Sequence, residues 1–296
     1  MMLGSYYYKS KAKEYLKGNW QNAMLVAFFS GVLGTVLQVL QLVLLPNQLG
    51  FATAEAYLEA LLQIPQSTWI ILLAGSLATL LFSPVLGLGN NHYFVELTRG
   101  TDLGFTGLFS RMSLFGKALW LYLRMAVQIL LWSLLLVIPG IIAAIRYSMA
   151  PYYLAENPEI TAGEALERSK AAMDGRKMTF FSLVISFMGW TLLALLVETY
   201  LGDVNYVLGT VVGLAIQVWV AAYQNAAIAA FYRVVSEKNG MRRAFDEMFG
   251  HFEEMGMDPE TLEQMKEQAE QSMQQPDREA GEGNSDRPSD DDEMLD

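Results

Sequence analysis

The sequence predicts an all-α fold: a polytopic membrane bundle of six transmembrane helices arranged as three helical hairpins. Each hairpin is expected to follow an interfacial amphipathic helix, with both termini cytoplasmic. Three observations carry this reading. The 296 residues are 53% hydrophobic and only 17% charged, and mean hydropathy is positive at +0.25 although the last fifth is strongly polar, a balance foreign to soluble globules. Several apolar runs reach the ~20 residues a helix needs to cross a bilayer. Basic residues also fall in every second loop, as they do when positive charge stays on the cytoplasmic side.

Residues 1–19 form a cytoplasmic amphipathic segment in which Lys9, Lys11, Lys13 and Lys17 precede the first apolar run. No small-residue cleavage site follows, so the start reads as an uncleaved signal anchor. The membrane domain covers 20–235, with spans expected near 20–45, 68–90, 118–138, 140–156, 179–198 and 205–232. Backbone groups in lipid must bond internally, and no alternating strand pattern occurs, so the spans are helices. The loop after the first span holds Glu55 and Glu59 and is placed outside; Arg99, Arg111 and Lys117 return the chain inside.

Residues 119–155 carry only two charges, Arg124 and Arg146, and one Pro-Gly break. A single long tilted helix would put Arg168, Lys170, Arg176 and Lys177 outside. A hairpin with its tip at Pro139 and Gly140 keeps them inside, and the positive-inside rule favours the hairpin. Its returning span is short, about 22 Å at helical rise, so it either thins the bilayer or sits within the bundle. Pro151 and Pro84 break backbone ladders inside their spans.

Amphipathic segments are expected before three spans: Tyr8, Ala12, Tyr15 and Leu16; Phe105, Leu108, Phe109 and Met112; and a helix capped by Thr161 and Glu164 with Ala162, Ala165, Leu166, Ser169, Ala172 and Met173 on one face. Gly175 is its expected stop. A plainer alternative is that loops of this length collect amphipathic pieces at any interface. Gly209 and Gly213 form a small-residue face for helix packing. Residues 236–273 read as a cytoplasmic helical segment, with short helices from Met241 and from Asp258, the latter an N-cap followed by Pro259. Residues 274–296 are expected to be a disordered acidic tail. The net charge of −11 belongs to this end, since residues 253–296 hold 16 of the 31 acidic residues and three basic ones.

Little here suggests catalysis. The chain has no cysteine and two histidines, His92 and His251. His92 and Glu96 share a helical face, but two ligands are too few for zinc, and interfacial hydrogen bonding is the expectation. No metal, cofactor or catalytic residue is expected. Arg124 lies about 9 Å inside its span and can snorkel. Arg146 is harder to place, and Glu198 at the outer end of the fifth span is its natural partner. The expected Arg146–Glu198 pair either joins two hairpins or lines a polar cavity. Gln38, Gln41, Gln217, Gln224 and Asn225 serve interhelical hydrogen bonds or, alternatively, a conduit.

Lys17-Gly-Asn-Trp20, Ile138-Pro-Gly-Ile-Ile142, Tyr147-Ser-Met-Ala-Pro151, Asn157-Pro158, Glu164-Ala-Leu-x-x-Ser169 and Ser186-Phe-x-Gly-Trp190 follow one another in order. Together, across about residues 8–235, they resemble the bacterial membrane-protein family known as domain of unknown function 975. The resemblance implies a protein of the bacterial cytoplasmic membrane with no established activity and no catalytic residue to carry over. Two functional readings follow. The first is a non-enzymatic membrane protein that organises lipids or assists envelope proteins, with membrane lipids as partners. A basic membrane or cytoplasmic protein at the acidic tail is a further candidate partner, and nucleic acid is not one. The second is a small-solute transporter or permease with a polar site near Arg146.

Overall fold

The computed structural model describes residues 4–46 and 53–254, and beyond them only positions 258, 261, 264, 265 and 268. The tail 274–296 and most of the helix expected after Asp258 lie outside the described residues; Asp258 itself accepts from the Thr261 N–H at 3.2 Å. The described elements are helical. They are α1 (Ser5–Leu16), α2 (Trp20–Leu44), α3 (Ala54–Leu62), α4 (Gln66–Thr98), α5 (Phe115–Leu135), α6 (Val137–Tyr147), α7 (Ala150–Glu156), α8 (Ala162–Ala172), α9 (Lys177–Val204) and α10 (Tyr206–Glu254).

Five helices, α2, α4, α5, α9 and α10, are long and apolar enough to cross a membrane. Only 11% of the residues in the α5 window are buried by the protein, and 33% even in α10. Exposed Leu, Ile, Val and Trp on this scale need a non-aqueous cover, and the chain is a membrane-embedded helical bundle.

The core sits at one end, the base. There Tyr8, Ala12 and Leu16 of α1, the second half of α4, all of α7 but its last residue, one face of α8 and the middle of α10 bury one another. From this base three antiparallel pairs project. In α2–α4, Thr79 donates to the Leu33 carbonyl at 3.4 Å and Leu37 lies against Gly75. In α9–α10, a Cβ at Gly209 would meet the Glu198 carbonyl at 2.6 Å, and one at Gly213 would meet Glu198 Cβ at 2.7 Å. Both glycines are buried in that seam, where only a hydrogen lets the backbones approach so closely.

The third pair is α5–α6, and its turn differs from expectation. The chain reverses at Leu136, which is extended (φ −163°, ψ 151°). Pro139 and Gly140 fall in the first turn of α6 rather than at the tip. The first amides of a helix have no intrahelical partner, so proline fits there without loss. Gly140 allows the close return, because a Cβ would collide with Ser133. The helix α6 has 11 residues, about 16 Å of rise, and α7 follows after a break at Ser148 and Met149.

The base helices form for legible reasons. Thr161 caps α8 by accepting from the Glu164 N–H at 3.2 Å, all six residues expected on its inner face are buried, and Gly175 ends the segment with φ +70°. The segment before α5 departs from the expected helix. It forms two 3-10 turns, Phe105–Phe109 and Met112–Leu114, with Leu108 buried but Phe109 and Met112 exposed. Gly104 at φ +62° and Gly107, wedged against Leu103 and Tyr93, set that path. The short helix expected from Met241 is instead continuous with α10.

Candidate functional site

Two regions of the bundle bring functional side chains together: a polar and cationic zone at the base, and an apolar groove on α9–α10.

At the base, Arg99 forms ion pairs with Glu96 at 2.5 Å and with Glu156 at the end of α7. The Tyr232 hydroxyl donates to the other oxygen of Glu156, and Arg233 donates to the Thr98 carbonyl. Arg111 donates to the Ala155 carbonyl at 2.7 Å and lies 3.2 Å from His92 Nδ1. His92 and Glu96 thus serve a hydrogen-bonded junction of α4, α7 and α10. Sequence reasoning missed Glu156 and Tyr232 because their partners are 57 and 76 residues away, beyond any helical periodicity.

Arg146 does not pair with Glu198. It ends α6 at the base, where its carbonyl accepts from the Ser169 hydroxyl of α8 at 2.8 Å, and its side chain is exposed. Glu198 lies in the α9–α10 seam beside Gly213 and accepts from Gln217 Nε2 at 3.2 Å. The short α6 returns Arg146 to the α8 side before Glu198 comes within reach. Asn225 donates to Asn90 at 3.4 Å, so Gln217 and Asn225 both make interhelical bonds. Arg124 of α5 reaches the first turn of α8, its Nη1 lying 3.0 Å from where a Gly163 Cβ would stand.

The groove is an open one of about 510 Å³, lined by Trp190 and Leu193 of α9 and by Val211, Val212, Ala215, Ile216 and Trp219 of α10. Its wall presents almost no polar atom. Trp219 holds its inner end: it stacks on Trp20 with planes 8° apart and ring centroids 5.7 Å apart, and meets Trp190 edge-on at 5.8 Å. The N-terminal helix braces the same wall, since Lys9 donates to the Ser186 carbonyl at 3.1 Å and lies 4.7 Å from the Phe187 ring centre. The sequence signal was three dispersed tryptophans, which helical periodicity alone does not bring together.

Trp20, Ser169, Ser186, Phe187 and Trp190 lie in the ordered motifs of the sequence. Residues 133–239, from the tip of α5 into α10, match the family model described as protein of unknown function (DUF975). Over this segment, 107 of the 296 residues, the chain is similar to that family. The DUF975 match holds the α6–α8 unit and both walls of the groove, and leaves Lys17-Gly-Asn-Trp20 outside it. Neither a curated protein nor a solved structure matches the chain.

Proposed function

We propose that this DUF975-containing protein is a non-catalytic membrane component that holds and organises lipid, in a plasma membrane with both termini on the cytoplasmic side. The observation that carries the proposal is the α9–α10 groove. It is lined almost wholly by apolar atoms, opens sideways from two helices that are themselves exposed apolar surface, and its 510 Å³ falls in the ~300–1,000 Å³ range of small-ligand sites. A hydrocarbon chain is the ligand that such a wall can hold without leaving polar groups unpaired. Arg146, around which a permease site was expected, stands exposed on the outside of the bundle beside α8, which favours lipid over a solute path.

The test is quantitative. Purified protein is expected to carry tightly held phospholipid that survives detergent washing, and Ala215→Trp, which fills the groove, is expected to lose most of it. Equal lipid in both proteins contradicts the proposal.

A further inference from the structure

Arg124 and Arg146 come from the two arms of the α5–α6 hairpin, and the charges of both act on Glu167 of α8, which shares a helical face with Gly163 four residues before it. Arg124 Nη1 lies against Gly163, and Arg146 leaves the backbone whose carbonyl is held by Ser169. Gly163 and Ser169 are the second and eighth residues of α8, with Glu167 between them. The other cations of α8 are matched: Arg168 pairs with Glu164 at 2.5 Å and Lys170 with Glu167 at 2.6 Å. Arg124 and Arg146 are exposed, and among the described residues neither forms a side-chain hydrogen bond or ion pair. Their neighbours Trp120, Leu123, Val127, Ile141 and Ile142 are exposed apolar residues, so both guanidinium groups emerge from a lipid-facing surface.

A guanidinium on an apolar, lipid-facing surface is costly unless an anion meets it. The anion present at the edge of a hydrocarbon layer is a lipid phosphate, which arginine binds through paired, charge-assisted hydrogen bonds. We propose that Arg124 and Arg146 jointly bind the phosphate of an anionic lipid headgroup in the leaflet bordering α8. Glu167 opposes that ligand. Its carboxyl is held below the usual range by the Lys170 hydrogen bond and, through space, by Arg146 and Arg124, so it stays charged close to both. The site rests on the lipid reading above and adds a headgroup preference to it.

The full chain is reconstituted in nanodiscs of equal phosphatidylglycerol and phosphatidylcholine, and the ratio of the two lipids retained after extraction is read by mass spectrometry. Wild type is expected to enrich phosphatidylglycerol, and the Arg124→Gln/Arg146→Gln double variant to lose about tenfold of that enrichment, as expected for lost charge-assisted bonds. Glu167→Gln is expected to raise it, a gain that a misfolded protein cannot produce. Persistent enrichment in the double variant, or a fall in Glu167→Gln, overturns the site. Erosion of the enrichment by added inorganic phosphate also overturns it, since free phosphate would then be the ligand. Total lipid per protein is scored separately: an unchanged total without enrichment in wild type overturns the headgroup site alone and leaves the groove standing.

Discussion

Ser169 and Arg146, 23 residues apart, are joined by a hydrogen bond that fixes the α6–α7 break. The Ser169 hydroxyl donates to the Arg146 carbonyl at 2.8 Å and accepts from the Met149 N–H at 3.2 Å. The chain leaves helical geometry at Ser148 and Met149, between α6 and α7, and the outside hydroxyl takes up a carbonyl and an N–H on the two sides of that break. Ser169 is fully buried. Two of the ordered sequence motifs meet at this single side chain.

Ser169→Ala should therefore leave a donor and an acceptor unsatisfied in the core, at a cost of about 1–3 kcal/mol. Thermal unfolding in detergent micelles checks this, with a lower midpoint for Ser169→Ala and a smaller loss for Ser169→Thr. An unchanged midpoint for the alanine variant would show that the hydroxyl is dispensable.

The Glu156 junction should be stronger still. Removing the carboxylate with Glu156→Ala leaves Arg99 with only Glu96 and strips Tyr232 of its acceptor, an expected loss of roughly 2–4 kcal/mol. Tyr232→Phe should cost less, because Arg99 keeps both ion pairs. A double-mutant cycle between positions 156 and 232 is expected to give clear coupling; additive effects would mean that the two side chains act independently.

Acid should weaken α8 through Glu167. Its folded-state pKa is lowered, first by the hydrogen bond from Lys170, so the contribution is present above the unfolded value, near 4.5. It is lost as pH falls through the lower folded value. The side chain is exposed and the effect is small. Comparing the midpoint of wild type and Glu167→Gln between neutral pH and about pH 3 reads it: the variant is expected to show a shallower acid-side decline.

The sequence made the long helices legible because a bilayer demands length and apolarity from every span, and α2, α4, α5, α9 and α10 meet that demand within single stretches. Loop charge also indicated that the chain reverses in the 119–155 stretch. It did not locate the turn, since proline marks a tip no better than it marks a first helical turn, and Leu136 has no special chemistry. The Arg146–Glu198 pairing failed for a related reason: opposite charges in neighbouring spans say nothing about depth, and depth was set by the shortness of α6. The groove and the Glu156 junction depend on residues brought together only by the packing of distant helices.

The proposed topology, with both termini cytoplasmic, makes a prediction at two positions. Arg124 and Arg146 both meet α8, so α5 and α6 run antiparallel, and positions 139 and 170 should face opposite sides of the membrane. The chain lacks cysteine, so single cysteines introduced there report cleanly. Pro139→Cys is expected to react with an impermeant thiol reagent from outside intact cells, and Lys170→Cys only after the cells are opened.

The central claim is that lipid fills the α9–α10 groove. A photoreactive amino acid placed at Ala215 and activated in native membranes tests it most directly. The expected product is a protein–phospholipid adduct, suppressed when Leu193→Trp narrows the same groove. Labelling that is quenched by water, with no lipid adduct at that position, would contradict it.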